Sequence, residues 1–236
     1  FTPEGWYATD AEDPYCRIRE LRALIDECHK AGLGVLLDVV YNHMAGTQFL
    51  DDIVPGYYFR FDEKGRFKSN SGCGNDTATE RTMMKRLVVD STSHWVKNYM
   101  ADGFRFDLMG LMEASSVLDS YAACVKLNAS TLFEGEGWKM YNGEPGTVGL
   151  DQNYMLKTDK VAVFNDEFRD LIKAGGFNET GRGLITKKYT DNTRFFRNVT
   201  GSPVSNYRAD QPGDNLNYLV CHDGLTLHDG IVHNLH

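Results

Sequence analysis

The sequence predicts an α/β fold built on a parallel sheet, and three observations carry that reading. Segments with helical periodicity alternate with short apolar runs. The first of those runs, Val35-Leu36-Leu37-Asp38-Val39-Val40, is nearly continuous in apolar residues, as a strand covered on both faces must be. Each run also ends in polar residues, so the strand ends share an exposed rim.

Taken in order, Arg17 to Ala31 places Ile18, Leu21, Leu24, Ile25 and Cys28 on one helical face, and Gly32 and Gly34 stop it. The first strand follows and closes in Tyr41-Asn42-His43. Residues from about 44 to 78 form a long excursion with Pro55, Gly56, Gly65, Gly72 and Gly74, and such excursions carry function more often than mere connection. A helix is expected from Thr79 to Met100, turned by Asp102-Gly103 into the strand Gly103 to Phe106. Glu113 to Leu127 reads as the next helix and Ser130 to Phe133 as the next strand. That strand should end at Glu134-Gly135-Glu136-Gly137-Trp138, because alternating glycines and acids make poor strand interior. Val161 to Asn165 and Asn217 to Cys221 are the remaining strands, with helices from Asp166 to Lys173 and from Thr226 onward. Gly175 to Gln211 reads as short helix mixed with loop. Five strands are three short of a closed eight-stranded barrel, so the pattern fits an open sheet or a barrel cut at both ends.

The 236 residues suffice for one sizeable core, and nothing suggests disorder. The net charge of −8, with no basic cluster, argues against nucleic acid, and no apolar run is long enough to span a bilayer. The opening Phe1-Thr2-Pro3-Glu4-Gly5 shows no signal-peptide pattern, and starting without methionine suggests a piece of something longer. Five scattered cysteines with no CxxC pair argue against a structural zinc site and against a disulfide framework. They fit a reducing, cytoplasmic location, while a secreted or surface location stays open.

The stretch Gly103-Phe104-Arg105-Phe106-Asp107 carries the chemistry. Side chains alternate along a strand, so Phe104 and Phe106 share one face while Arg105 and Asp107 share the other. The phenylalanines suit a helix-covered face, and the charged pair suits a crevice near the strand's C-terminal end. The neighbouring guanidinium favours an ionised Asp107. By itself the pair is equally a structural salt bridge. Four strand ends, however, offer Asp38 with His43, Arg105 with Asp107, Glu134 with Glu136, and His222 with Asp223. That implies a shared acidic pocket, costly unless used. Paired carboxylates with an arginine, histidines and aromatic rings suit glycosidic chemistry.

Four motifs, in order, resemble those of the α-amylase superfamily, glycoside hydrolase family 13. They are Asp38-Val39-Val40-Tyr41-Asn42-His43, Gly103-Phe104-Arg105-Phe106-Asp107, Gly135-Glu136-Gly137-Trp138 and His222-Asp223. The flanking Pro3-Glu4-Gly5-Trp6-Tyr7-Ala8-Thr9, Val54 to Phe59, Gly72 to Ala78 and Val163 to Asp170 are similar to type I pullulanases, whereas Gly224-Leu225-Thr226-Leu227 looks like isoamylases and glycogen-debranching enzymes. The resemblance implies a (β/α)8 TIM barrel, incomplete here. Residues 1–236 would hold roughly strands three to seven, without the first two and the eighth, and the 44–78 excursion would join strand three to its helix.

It further implies a retaining α-1,6-glucosidase that debranches pullulan, amylopectin or glycogen-type α-glucans. Asp107 would be the nucleophile, Glu136 the acid/base and Asp223 the stabiliser of the transition state. His43, Arg105, Leu108, Trp138 and His222 would bind substrate. No cofactor is implied; calcium is bound by some members of the family, but no ligand set here specifies it. Other readings are an isoamylase-like glycogen debrancher, an α-1,4 hydrolase or transglycosylase, or an inactive glycan-binding relative. Without the missing strands, the 236 residues alone are expected to be inactive or poorly soluble.

Several residues have plainer readings. Asp38 is expected to be a buried partner of Arg105. Glu134 would share a face with Glu136, which is preferred by motif. Asn42 fits a turn or the pocket. Asp166, Glu167 and Asp170, with Arg169, read as the charge set of a helix N-terminus. Asp229, His233 and His236 could share a helical face, but that spacing is a weak sign of a metal site.

Overall fold

The computed structural model describes residues 3–173 and 181–235. Five strands, β1 (Leu36–Val39), β2 (Gly103–Phe106), β3 (Leu132–Gly135), β4 (Ala162–Asn165) and β5 (Asn215–Asn217), lie side by side in chain order. Every neighbouring pair is parallel. Sequential parallel order is how a barrel winds, whereas a doubly wound open sheet reverses its order at a switch point.

Seven helices accompany the strands among the described residues: α1 (Cys16–Lys30), α2 (Gln48–Asp51), α3 (Thr82–Tyr99), α4 (Ala114–Val125), α5 (Asp166–Ile172), α6 (Asn192–Val199) and α7 (Leu227–Leu235). No helix among them is long and apolar enough to cross a membrane. Glycine ends α1 as expected: Gly32 takes φ +76°, and the Leu33 N–H turns back to the Cys28 carbonyl. The turn out of α3, expected at Asp102-Gly103, begins earlier, with Met100 in the left-handed conformation. Asp102 does a different job. Its carboxylate accepts the Val35 N–H and bonds His29, fixing the entry to β1.

The core lies on the helical side of the sheet. Phe104, Phe106 and Phe133 are buried among Ile25 of α1, Val88, Trp95, Val96 and Tyr99 of α3, and Val117 and Cys124 of α4. Phe104 meets Phe133 edge-on at 5.4 Å, a favoured aromatic geometry. With the even positions of β2 committed to this core, its odd positions must point the other way.

Three expectations are corrected. First, β3 runs on through Glu134 and Gly135, and Gly135 pairs with Phe106. A glycine is tolerated there because a Cβ would press on the Phe106 carbonyl and the Met109 side chain. Second, the regular alternation of strand and helix fails between β3 and β4, where the described structure holds only the 3-10 turn Gln152–Leu156. Third, β5 spans Asn215–Asn217, not Asn217 to Cys221. It is polar because its side chains are paired. Asn215 accepts from Tyr207 and donates to the Gly201 carbonyl, while Asn217 accepts from Asn165 and donates to the Asn198 carbonyl. The apolar-looking stretch after it lies outside the ladder, so His222 and Asp223 sit five and six residues beyond the strand.

Candidate active site

The ladder register sets Asp38, Arg105 and Glu134 side by side on β1, β2 and β3, on the face opposite the core. Arg105 is the hub. Its Nη1 donates to Asp38 Oδ1 at 2.9 Å and to Asp107 Oδ1 at 3.5 Å, and its Nη2 donates to Glu136 Oε1 at 2.5 Å. One guanidinium thus binds carboxylates from three adjacent strand ends, a use that its planar fork of donors permits and a lysine would not. Burial opposes the Arg105 charge, but the hydrogen bond to Asp38 and the fields of Glu136, Asp38 and Asp107 outweigh it and raise its pKa. Asp38 does support Arg105, but it is not buried; 62% of its side chain is exposed.

Asp107 is held a second time. Asn42, at the end of β1 and nearly inaccessible, donates from Nδ2 to the Asp107 backbone carbonyl at 2.7 Å and to Asp107 Oδ2 at 2.9 Å. Its Oδ1 must then be the acceptor, so the contact to His43 at 2.7 Å is an Nδ1–H donation. This fixes the His43 tautomer and ring orientation. The choice for Asn42 between turn and pocket resolves as a clamp on Asp107.

Glu136 is only 7% exposed. Burial raises its pKa above the ordinary glutamate value; hydrogen bonding from the Leu108 N–H and the nearby Arg105 charge oppose that rise, Asp107 reinforces it, and His222 opposes it. Leu108 pays a backbone cost for its contribution. It adopts φ +40° and ψ +46°, a left-handed conformation uncommon for a non-glycine residue, and so aims its N–H at Glu136 Oε2 at 3.0 Å. No sequence pattern betrays this role. Glu134, one layer deeper, is also pushed up by burial and pulled down by Arg105.

Trp138 is half-buried beyond Glu136. Gly110 lets the two chain segments touch, since a Cβ there would overlap the Trp138 carbonyl. The loop after Trp138 is tied to the 44–78 excursion, and to Glu80 just past it, through a buried network that sequence reading missed. Arg60 pairs with Glu80 at 2.7 Å, and both side chains are almost fully buried. Arg60 also donates to the Leu111 carbonyl and Asn142 Oδ1, both at 2.9 Å, and lies over the Tyr141 ring. Asn142 donates in turn to Asp76, and Lys68 to the Asn142 carbonyl. The expected long loop is therefore a braced wall.

His222 and Asp223 follow β5 on an exposed segment, their side chains 3.6 Å apart. His222 is near enough to lower the Glu136 pKa when its ring is protonated. No hydrogen bond joins Asp223 to Asp107 or Glu136 among the described residues. Glu167 departs from its expectation. It is fully buried and accepts from Arg194, Asn198 and the backbone N–H groups of Val204, Ser205 and Asn206, so it anchors a loop instead of decorating a helix end. Arg169 pairs with Asp170, as expected. His236, invoked in the metal reading of the last helix, lies outside the described residues.

A sequentially wound parallel sheet, helix-covered on one face and carrying an arginine–carboxylate cluster at its strand ends, defines the chain as part of a TIM-barrel-type catalytic module. Comparison with known proteins makes this particular: the chain is homologous to pullulanases over its whole length. It is 41% identical to Pullulanase A of Streptococcus pneumoniae across 237 aligned residues, covering all of this chain and 19% of that protein. The solved product complex of a multi-modular glycogen-degrading pneumococcal virulence factor, SpuA, superposes with a TM-score of 0.92 at 40% identity, covering 97% of this chain and 23% of that one. The Group B Streptococcus pullulanase SAP in complex with maltotetraose gives 0.93 at 37% identity, covering 100% and 31%. The chain thus spans about a fifth of the length of the first relative and under a third of the second structure. No family model matches the chain.

Proposed function

We propose that this chain forms part of the catalytic barrel of a retaining glycoside hydrolase that cleaves α-1,6 branch linkages in pullulan, amylopectin or glycogen-type α-glucans. In this reading β1 to β5 correspond to strands three to seven of an eight-stranded barrel, residues 1–236 are one partial domain, and the 44–78 excursion joins the third strand to its helix. The observation that carries the proposal is the single guanidinium of Arg105 gripping both Asp107 and Glu136, with Glu136 biased toward its protonated form.

The chemistry follows from that asymmetry. Asp107 attacks the anomeric carbon and forms a glycosyl ester as the glycosidic bond breaks. Glu136 gives its proton to the departing oxygen. A water then replaces the leaving group, Glu136 takes a proton from it, and the sugar leaves Asp107 with its original configuration. Asp223 binds ring hydroxyls as the sugar flattens, with His43 and His222 beside it, and Trp138 and Leu108 line the pocket. No step requires a cofactor. Glycan-bound pullulanases with the same fold support an α-glucan as the substrate.

One observation favours a second reading within the same reaction. Gly224, at φ +78°, follows Asp223 and leads into Leu225-Thr226-Leu227, which resembles isoamylases and glycogen-debranching enzymes. The test is product analysis with the protein that carries this chain. Release of maltotriose from pullulan, lost in Asp107→Asn and Glu136→Gln, supports the first reading. Debranching of glycogen without action on pullulan supports the second. Hydrolysis of amylose alone would move the protein to an α-1,4 specificity, and no hydrolysis of any α-glucan would overturn both.

A further inference from the structure

We propose that Cys221, His222 and Asp223 form a binding site for a divalent transition metal ion of the zinc or cobalt class. The Cys221 sulfur, a His222 ring nitrogen and an Asp223 carboxylate oxygen lie within 4.8 Å of one another, and all three residues are exposed. His222 Nε2 and Asp223 Oδ2 are 3.6 Å apart, too far for a hydrogen bond. That gap suits an ion. With metal–nitrogen and metal–oxygen bonds of about 2.1 Å at a tetrahedral centre, two ligand atoms stand about 3.4 Å apart. The Cys221 thiol donates to the Asp223 backbone carbonyl at 3.7 Å, a contact that holds its sulfur beside the other two ligands and that metal binding would replace.

The donor set also selects among ions. A thiolate and an imidazole favour zinc, cobalt or copper, whereas calcium and magnesium want oxygen ligands. Three protein ligands leave one position for water, so binding should be reversible and open to chelators. On binding, Cys221 gives its proton to solvent and its sulfur bonds the metal; no oxidant or reductant is involved. The mechanism above makes no use of Cys221, and the proposed site stands independently of it.

The consequence for activity does rest on the proposed function. His222 and Asp223 are the groups assigned there to sugar hydroxyls, so a bound ion removes them from the substrate. Metal should therefore raise KM for α-glucan with little change in kcat, and excess substrate should relieve the inhibition.

The test is a cobalt titration of the purified protein, watching for the thiolate-to-cobalt absorption band. We expect the band to saturate at one equivalent, to be displaced by zinc but not by calcium, and to persist in Cys73→Ala. We expect it to vanish in Cys221→Ala and Cys221→Ser, with near-ultraviolet dichroism checking that both variants fold. His222→Ala should weaken cobalt binding by more than the roughly 10–100-fold lost when a group that merely supports a ligand is removed. Absence of the band, its persistence in both Cys221 variants, or equal displacement by calcium overturns the site. A saturating band without inhibition leaves the site standing and counts against the roles given to His222 and Asp223. Without metal, Cys221→Ala should hydrolyse substrate like the parent.

Discussion

Replacing Glu167 with glutamine should destabilise the protein in a strongly pH-dependent way. The carboxylate has no exposed surface and accepts from Arg194 at 3.0 Å, Asn198 at 2.9 Å, and the backbone N–H groups of Val204, Ser205 and Asn206 at 3.2, 2.8 and 3.1 Å. Burial pushes its pKa up, but the hydrogen bonds from Asn198, the Asn206 and Ser205 amides, and Arg194 outweigh that and bring it from 4.5 to about 2. At roughly 1.4 kcal/mol for each tenfold change in acidity, this drop amounts to about 3 kcal/mol of folding stability. The folded pKa is depressed, so the contribution is complete above the unfolded value of 4.5 and is lost as pH falls toward 2. Glutamine cannot replace it, because its NH2 group would face one set of donors. Urea unfolding of the parent and Glu167→Gln should therefore differ by about 3 kcal/mol at pH 7 and by about half that at pH 3. A difference below about 1 kcal/mol at pH 7, or one unchanged between pH 7 and pH 3, would refute the reasoning.

Three further outcomes follow from the site. Asn42→Ala should lower kcat by about 10–100-fold and also raise KM, since Asn42 both clamps Asp107 and orients His43, and steady-state kinetics on α-glucan will show both changes. Arg105→Leu removes a charge that lowers the Glu136 pKa, so that pKa should rise further. Glu136 must be protonated to act as acid, so the alkaline limb of the kcat profile should move to higher pH even as the rate falls; a limb moving to lower pH would contradict the assignment. Gly110→Ala forces a Cβ onto the Trp138 carbonyl, and thermal unfolding should show a loss of about 1–3 kcal/mol together with loss of activity.

What could be read from the sequence was whatever follows from alternation and apolar pattern. Phe104 and Phe106 facing the helices, with Arg105 and Asp107 opposite, needed only the twofold period of a strand. Strands β1 and β4 were visible as apolar runs, β2 by its alternation, and β3 only in its apolar first half, Leu132-Phe133. By contrast, β5 was not, since Asn215 and Asn217 are made compatible with the sheet by Tyr207, Asn165 and two carbonyls far away in the chain. Glu167 misled for the same reason: an acid at a helix start is ordinarily solvated, and only the fold brings the 204–206 amides onto it. The clamp by Asn42 and the left-handed turn at Leu108 depend on distances between strand ends, which no local pattern encodes. The roles assigned to Asp107, Glu136 and Asp223 came from motif order, which physical reading of single residues could not have supplied.

The Arg60–Glu80 pair bears on how the molecule responds to heat. Both charges are dry, so salt screens them little. The cost of keeping charges out of water falls on warming, whereas apolar burial gains little more per unit area. Warming should therefore shift the balance of rigidity toward the wall beside Trp138 and away from the aromatic layer under the helices. The pocket rim would then be among the last parts of the chain to loosen, and a thermal melt followed by hydrogen exchange would see the Arg60, Leu111 and Asn142 region gain protection relative to α1, α3 and α4.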